Sequence, residues 1–413
     1  MKIGIDIRPL MDEEYSGVSW YTLDLLTEIL KQDRQNEYVL YYNSGRDIAS
    51  RISKVGIRKS DKVEIFATHY PNKLFNYFLQ KICHWPKLNV IASGAKRTEA
   101  IPRLAQETTG LLLRPGRIAM TNVNIFWSPH LNFSSFSRNC QVVLTIHDLS
   151  FLAYPEFFSA RQNLWHKFLG VRKLVERADM IIAISENTKQ DIVRFFAVKE
   201  SKIKVIYSGV GEEFRPIALD DLKVLAVKNK YELPEKFILN LGAFEPRKNI
   251  ASLVRAFDTV AGKPAVGDWH LVLAGSNGWK NKEIFKAIAR AKNKERIKVI
   301  GYVEKNERAA LYNLAGIFAY LSFYEGFGLP VLEAMACGTP VITSNTSALP
   351  EVAGDAAVLI DPNDERSLEL GLTALISSEE LRKIYSARGE KRAKMFSWEK
   401  TAREYLEIFN FRT

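Results

Sequence analysis

The sequence predicts an α/β protein of two doubly wound parallel-sheet domains facing each other across a cleft. Three observations carry the prediction. Short runs of strand length, apolar on both faces, alternate with longer segments of helical periodicity, as expected when helices cover both sides of a parallel sheet. This rhythm runs twice. It breaks over residues 214–235, a charged stretch that contains Pro216 and Pro234, shows no strand pattern and reads as the linker. His147, Arg247, Lys248 and Glu325 each follow a strand pattern closely, and such sheets bind ligands beyond the carboxyl ends of their strands.

In chain order, the first half is expected to form strands over residues 2–7, 63–67, 124–128, 141–146, 180–185 and 204–207. Its helices are expected over 18–31, 160–177 and 187–196. The second half is expected to form strands over 237–241, 270–274, 298–300, 317–321, 340–343 and 357–360. Its helices are expected over 250–260, 284–291, 307–315, 329–336, 366–376 and 379–394. The strand segments are short apolar runs, and the helical segments are longer and periodic.

A chain of 413 residues suits two or three domains, and 47% hydrophobic with 25% charged residues is ordinary for a soluble globular protein. Cys83, Cys140 and Cys337 are odd in number and lack metal-ligand spacing, so they read as reduced thiols of a cytosolic protein. The opening MKIGIDIRPL has the character of a strand, not of a signal peptide, and no apolar run reaches the length of a membrane span. A net charge of +11 attracts anions. The basic residues are scattered among acids, without zinc-finger spacing or an arginine-rich tail, so nucleic acid is not an expected partner.

The strand over 317–321 leads into Ser322-Phe323-Tyr324-Glu325-Gly326-Phe327-Gly328 and then a helix, with Pro330 suited to its first position. Gly326 and Gly328 allow a tight turn and a close approach of backbone to ligand. The free amides of the helix start can hold a phosphate or a sugar hydroxyl. Glu325 and Glu333 would flank that spot, and carboxylates accept hydrogen bonds from a ligand rich in hydroxyls. The helix dipole alone also favours an acid in a first turn, so spacing leaves both readings open. Arg247 and Lys248 stand at a helix start with Asn249 as a candidate cap. Cations there oppose the dipole unless an anion docks, although they also fit a solvated surface. His147 and Asp148 end a buried strand facing the expected cleft, where a histidine can serve chemistry or structure. Gly17 and Ser185 fit an ordinary helix start and a helix cap equally well.

The longer stretch EGFGLPVLEAMACGTPVIT resembles the signature of the large retaining glycosyltransferase family 4, whose E-x7-E motif matches Glu325 and Glu333. The resemblance extends through SGVSWYT, TIHDLSFL, ADMIIAISENTKQDI, KIKVIYSGV, LGAFEPRKN, IKVIGYV, SNTSALPEVAGDAAVLIDP and FSWEKTAREYLE. It implies the GT-B architecture, two Rossmann-like domains across a cleft. Residues 1–213 would form the acceptor-binding domain, 214–396 the nucleotide-sugar-binding domain, and 397–413 a last helix crossing back to the first domain. It also implies roles. Glu325 would lie by the donor sugar and Glu333 on the ribose hydroxyls. The backbone of Gly326, Phe327, Gly328 and Leu329 would meet sugar hydroxyls and the leaving diphosphate, with Lys248 and Arg247 on that diphosphate. Gly17 would let phosphate and acceptor approach the backbone, the main chain at Val303 would read the base edge, and His147 would lie near the reacting carbon. His147, Glu325 and Lys248 are the expected catalytic residues. The chain departs from the family pattern at Ala243, where an arginine is common, and at Ser19, where a second glycine is common.

The implied reaction moves a sugar, mannose from a GDP-mannose-type donor by likeness to bacterial mannosyltransferases, to an acceptor hydroxyl with retention. The setting would be polysaccharide or lipopolysaccharide assembly, with no cofactor and no metal. The implied partners are a nucleotide-sugar donor and a saccharide or lipid-linked saccharide acceptor. Residues 73–87, KLFNYFLQKICHWPK, carry a basic aromatic stripe that would pack on its own domain or lie on a membrane surface, giving a cytoplasmic protein a peripheral membrane contact. Residues 95–120, with four arginines, would form an acceptor-side loop. The alternatives are a sugar-nucleotide epimerase of the same architecture and a non-catalytic protein binding nucleotide-sugar or nucleic acid.

Overall fold

The computed structural model describes residues 1–11, 15–43, 62–68, 123–134, 136 and 139–410. Its first sheet contains β1 (Lys2–Asp6), β2 (Glu37–Asn43), β3 (Val63–Thr68), β4 (Ile125–Ser128), β5 (Gln141–Ile146), β6 (Met180–Ala183) and β7 (Ile203–Val205). They are arranged β3-β2-β1-β4-β5-β6-β7. The second sheet contains β8 (Phe237–Leu241), β9 (His270–Ala274), β10 (Ile297–Gly301), β11 (Ile317–Tyr320), β12 (Val341–Ser344) and β13 (Ala357–Ile360). Its order is β10-β9-β8-β11-β12-β13. All neighbours in both sheets run parallel. β4, β8 and β11 are buried along their whole length, which is why they read as unbroken apolar runs.

The two windings share one logic. Each chain half starts mid-sheet, winds outward, then returns to wind the other way, so the direction reverses between β1 and β4 and again between β8 and β11. Loops diverge at such points and leave a crevice beyond the strand ends. The loops after β1, β8 and β11 therefore face a shared cleft.

Six helices matter for the site: α1 (Gly17–Gln32), α2 (Glu186–Phe196), α3 (Ile250–Ala261), α4 (Lys305–Leu314), α5 (Leu329–Ala336) and α6 (Trp398–Asn410). α1 begins with a reciprocal capping box, in which the Ser16 hydroxyl accepts from the Ser19 amide at 3.4 Å and the Ser16 amide donates to the Ser19 hydroxyl at 3.3 Å. Ser185 caps α2, its hydroxyl accepting from the Thr188 amide at 3.0 Å. α6 lies in the first domain. The Tyr405 hydroxyl is 2.8 Å from that of Tyr21 and 2.7 Å from Thr145 Oγ1, and the Tyr405 ring centroid is 5.0 Å from Trp127.

Four local expectations change. β2, EYVLYYN, is not among the expected strands, and three of its seven residues are tyrosines. In the fold their rings are buried and their hydroxyls find partners, Tyr38 donating to Asp33 and Tyr41 lying 3.1 Å from Thr68 Oγ1. The single helix expected over 160–177 is two, Ala160–Leu169 and Val171–Arg177, because Gly170 adopts a left-handed φ of 64° and ends the first. The segment expected as the linker holds a helix, Leu222–Lys230, whose first turn is capped by Asp221 accepting from the Lys223 amide at 2.8 Å. Asn249 precedes α3 but does not cap it. With φ at 54° its amide turns away and donates to the Pro362 carbonyl at 2.8 Å. Asn tolerates this left-handed conformation, so the residue serves the turn instead.

Among the described residues no helix is long and apolar enough to cross a membrane. Cys140 and Cys337 are buried free thiols. The basic aromatic stripe over 73–87, the loop over 95–120 and Cys83 lie outside the described residues.

Candidate active site in the interdomain cleft

A cavity of about 480 Å³ occupies the cleft, and all of Gly17, His147, Arg247, Lys248, Val303, Glu325, Gly326, Phe327, Gly328, Leu329 and Glu333 line it. These residues lie up to 316 positions apart in the chain (333 minus 17), so the two windings bring them together.

Its centre is a buried charge cluster. β8 runs into a single 3-10 turn, Pro246–Lys248, which aims two cations at the loop after β11. Lys248 Nζ lies 2.6 Å from Glu325 Oε1 and donates to the Tyr320 hydroxyl, also at 2.6 Å. Arg247 NH1 lies 2.9 Å from Glu325 Oε2 and donates to the Tyr324 carbonyl at 2.7 Å, while NH2 pairs with Glu245 at 2.8 Å. Burial alone would raise the Glu325 carboxyl, but Arg247 and Lys248 outweigh it and bring its pKa down to about 2. Burial, joined by the adjacent Arg247, pulls the Lys248 ammonium below its usual value against the attraction of Glu325.

The loop carrying Glu325 needs its glycines. A Cβ on Gly326 would sit 1.8 Å from the His147 carbonyl oxygen, so only glycine lets the second domain's loop meet the first domain's strand end this closely. Gly328, with φ at 108°, makes the left-handed turn into α5. Gly17 is different, since a Cβ there would meet nothing within 4 Å; the space at the start of α1 is open. Ser19 closes the capping box of that helix, which accounts for a serine at the position.

His147 Nε2 lies 2.7 Å from the Pro129 carbonyl, and its ring meets the Tyr21 ring edge-on at 4.6 Å. A carbonyl only accepts, so Nε2 carries the proton and Nδ1 is left as an acceptor. Burial lowers the histidine's pKa and keeps the imidazole neutral. Asp148 shapes its own loop, accepting from the Ser150 amide at 3.0 Å and hydroxyl at 2.7 Å.

Glu333, on α5, accepts from the Tyr312 hydroxyl at 2.8 Å. Burial raises its carboxyl, with Arg308 and the Tyr312 hydrogen bond acting the other way. Val303, buried at the turn between β10 and α4, lines the cavity, and its carbonyl accepts from Arg308 Nε at 3.4 Å. Among the described residues no group of three or more His, Cys, Asp or Glu could hold a metal ion.

Sequence reasoning missed Tyr320, Tyr324 and Glu245. Tyr320 ends a strand that reads as pure core, yet its hydroxyl joins Lys248 to Glu325. Tyr324 crosses the cleft, donating to Asp191 Oδ2 at 2.6 Å while its carbonyl takes Arg247. Its place beside Glu325 was the available signal.

Two doubly wound domains with a cation pair and a glycine-bounded acid loop at facing strand ends define a glycosyltransferase of GT-B architecture. The chain belongs to glycosyltransferase family 4: residues 48–214 match the description "Glycosyltransferase Family 4" and residues 225–392 match "Glycosyl transferases group 1". It is 32% identical over 285 residues to O-antigen chain mannosyltransferase B of Escherichia coli, covering 69% of this chain and 72% of that one. It is also 32% identical over 271 residues to the serotype-specific mannosyltransferase WbdA of Escherichia coli, covering 65% of this chain but only 33% of that longer one. The fold is similar to that of Anabaena HepE, solved in complex with UDP and glucose, at a TM-score of 0.69 and 16% identity over 100% of both chains.

Proposed function

We propose that the enzyme transfers mannose from a GDP-mannose-type donor to an acceptor hydroxyl with retention of configuration, in O-antigen-like polysaccharide assembly. The observation that carries this reading is the cation pair of half-buried Arg247 and buried Lys248 beside the glycine turn that opens α5. Two cations and a helix N-terminus converge where a departing diphosphate gains charge. Mannose is supported by the likeness to the O-antigen mannosyltransferases. A nucleoside diphosphate is supported by the cavity chemistry.

In this reading Lys248 and Arg247 hold the diphosphate together with the Phe327–Leu329 amides. Glu333, oriented by Tyr312, accepts from the ribose hydroxyls. The main chain at Val303 meets the base. His147 Nδ1 accepts a sugar hydroxyl, and Gly17 leaves room for phosphate and acceptor. Glu325 accepts from the sugar. A carboxylate held at a pKa of about 2 by two cations is a weak nucleophile. This supports front-face attack assisted by the leaving phosphate over a covalent intermediate on Glu325. Residues 1–213 would bind the acceptor, 214–396 the donor, and 397–413 tie the two. A lipid-linked saccharide acceptor would bring the cytoplasmic enzyme to the membrane surface through the 73–87 stripe, a contact that flotation with anionic liposomes tests directly.

The deciding experiment is a thermal-shift panel of GDP, UDP and dTDP and their sugars, followed by turnover with and without acceptor saccharide. GDP and GDP-mannose should raise Tm most, because a bound ligand stabilises by mass action. Turnover of donor without acceptor would point to an epimerase, and the absence of any nucleotide effect would sink the donor site.

A further inference from the structure

Among the described residues, several buried polar side-chain atoms have no hydrogen-bond partner, and of these only Trp20 Nε1 and Ser208 Oγ belong to residues lining the cleft. Trp20 is half-buried, and its ring face already carries the Lys305 ammonium at 4.4 Å. Ser208 is 1% exposed, and no group among the described residues pairs with its hydroxyl. A buried unpaired hydroxyl is costly to keep, so its position calls for a cause.

The segment around Ser208 is held rigidly. It follows β7, and the Tyr207 carbonyl accepts from Thr401 Oγ1 at 2.8 Å. A Cβ on the next residue, Gly209, would sit 2.1 Å from the Trp398 amide nitrogen, which presses this stretch against the start of α6. The Val210 amide donates to the Phe396 carbonyl at 3.3 Å. The Tyr207 ring lies 6.2 Å from that of Phe327, and Ser208 lines the same cavity as Phe327, Gly328 and Leu329, from the first domain's wall. A serine hydroxyl re-aims by one step between staggered χ1 wells.

We propose that Ser208 is a donor-binding residue contributed by the first domain, its hydroxyl donating to a diphosphate oxygen of the bound nucleotide-sugar. This rests on the nucleotide-sugar reading of the cleft. The missing partner of Oγ then arrives with the ligand, and donor binding draws on both domains at its phosphates.

Calorimetry on the full-length enzyme tests it, with GDP, UDP, guanosine and uridine as probes and the Tm of the ligand-free protein measured in parallel. S208A should bind the better nucleoside diphosphate about tenfold more weakly than wild type. It should bind the matching nucleoside equally well and keep or raise the ligand-free Tm, because no contact of the free protein is lost. S208G should repeat the affinity loss. Unchanged diphosphate affinity overturns the proposal, as does an equal loss for the nucleoside, or a fall in Tm or failure to fold in S208A. If wild type binds none of the four probes, the nucleotide-sugar reading itself fails, an outcome distinct from wild type and S208A binding GDP or UDP alike.

Discussion

Lys248 is where burial and charge compete most directly. Its ammonium is desolvated and sits beside Arg247, yet it is held within hydrogen-bond reach of Glu325 and Tyr320. If it stabilises the leaving diphosphate, K248A should lose on the order of a hundredfold or more in kcat while its far-UV spectrum is retained; near-normal turnover would remove Lys248 from the chemistry. Glu325 yields a separate prediction in acid. Its carboxyl titrates near 4.5 when unfolded and near 2 when folded, so the folded state binds fewer protons. The resulting stability, on the order of 3 kcal/mol, is fully present above the unfolded value and is lost as pH falls from there through the folded value. Urea unfolding at about pH 5 and about pH 3 should therefore show wild type losing more stability than E325Q. Equal losses would mean that the two cations do not hold the carboxyl down.

The loop from β11 into α5 shows how an element turns local sequence into cleft geometry. Gly326 packs against the His147 carbonyl so tightly that any side chain must push the two domains apart there. G326A should consequently lose about a hundredfold in kcat, because a misplacement of about 1 Å at a reacting centre suffices for that. Nucleotide affinity, which the proposed function assigns to Lys248, Arg247 and Glu333, should change far less; a variant with normal kcat would mean that the contact does not position the site. This loop was legible in the sequence because its glycines, proline and acids follow a strand in a short span. So were strands such as β4, β8 and β11, which are buried along their whole length and read as mainly apolar runs. β2 was missed although Tyr and Val favour strands, and the partners of its buried hydroxyls could not be read from the sequence. Nor was the cluster around Tyr320, because strand periodicity gives a burial pattern and says nothing of which hydroxyl will reach a lysine 72 residues away. The side-chain role of Asn249 was misread for a related reason, as the left-handed turn that redirects it has no sequence signature separate from a cap.

At the scale of the whole molecule, the two domains are bridged at several places around the cleft. Trp279 donates its indole N–H to the Phe157 carbonyl at 2.8 Å, and Lys305 pairs with Asp24 at 2.9 Å. Glu351 makes the most directed bridge. From the second domain its carboxylate accepts the Glu186 amide at 2.7 Å and the Asn187 amide at 3.3 Å, both in the first turn of α2 in the first domain. These amides have no intrahelical partner, and the helix dipole favours an anion at that end, so Glu351 completes a helix belonging to the other domain. The short helix that carries it is braced by Arg392, which donates to the Glu351 and Val352 carbonyls at 2.6 and 2.9 Å. Because the pairing spans the domains, its loss falls on the closed arrangement and leaves each domain's own core intact. E351A should shift the ligand-free enzyme toward more open forms, seen as a larger radius of gyration in solution scattering. It should also raise the donor KM by up to about tenfold, since binding must then supply the closure that Glu351 supports. Saturating nucleotide should return the scattering profile to that of wild type. An unchanged radius and KM would mean that the bridge is incidental to closure, with the remaining interdomain contacts and α6 sufficient to hold the cleft.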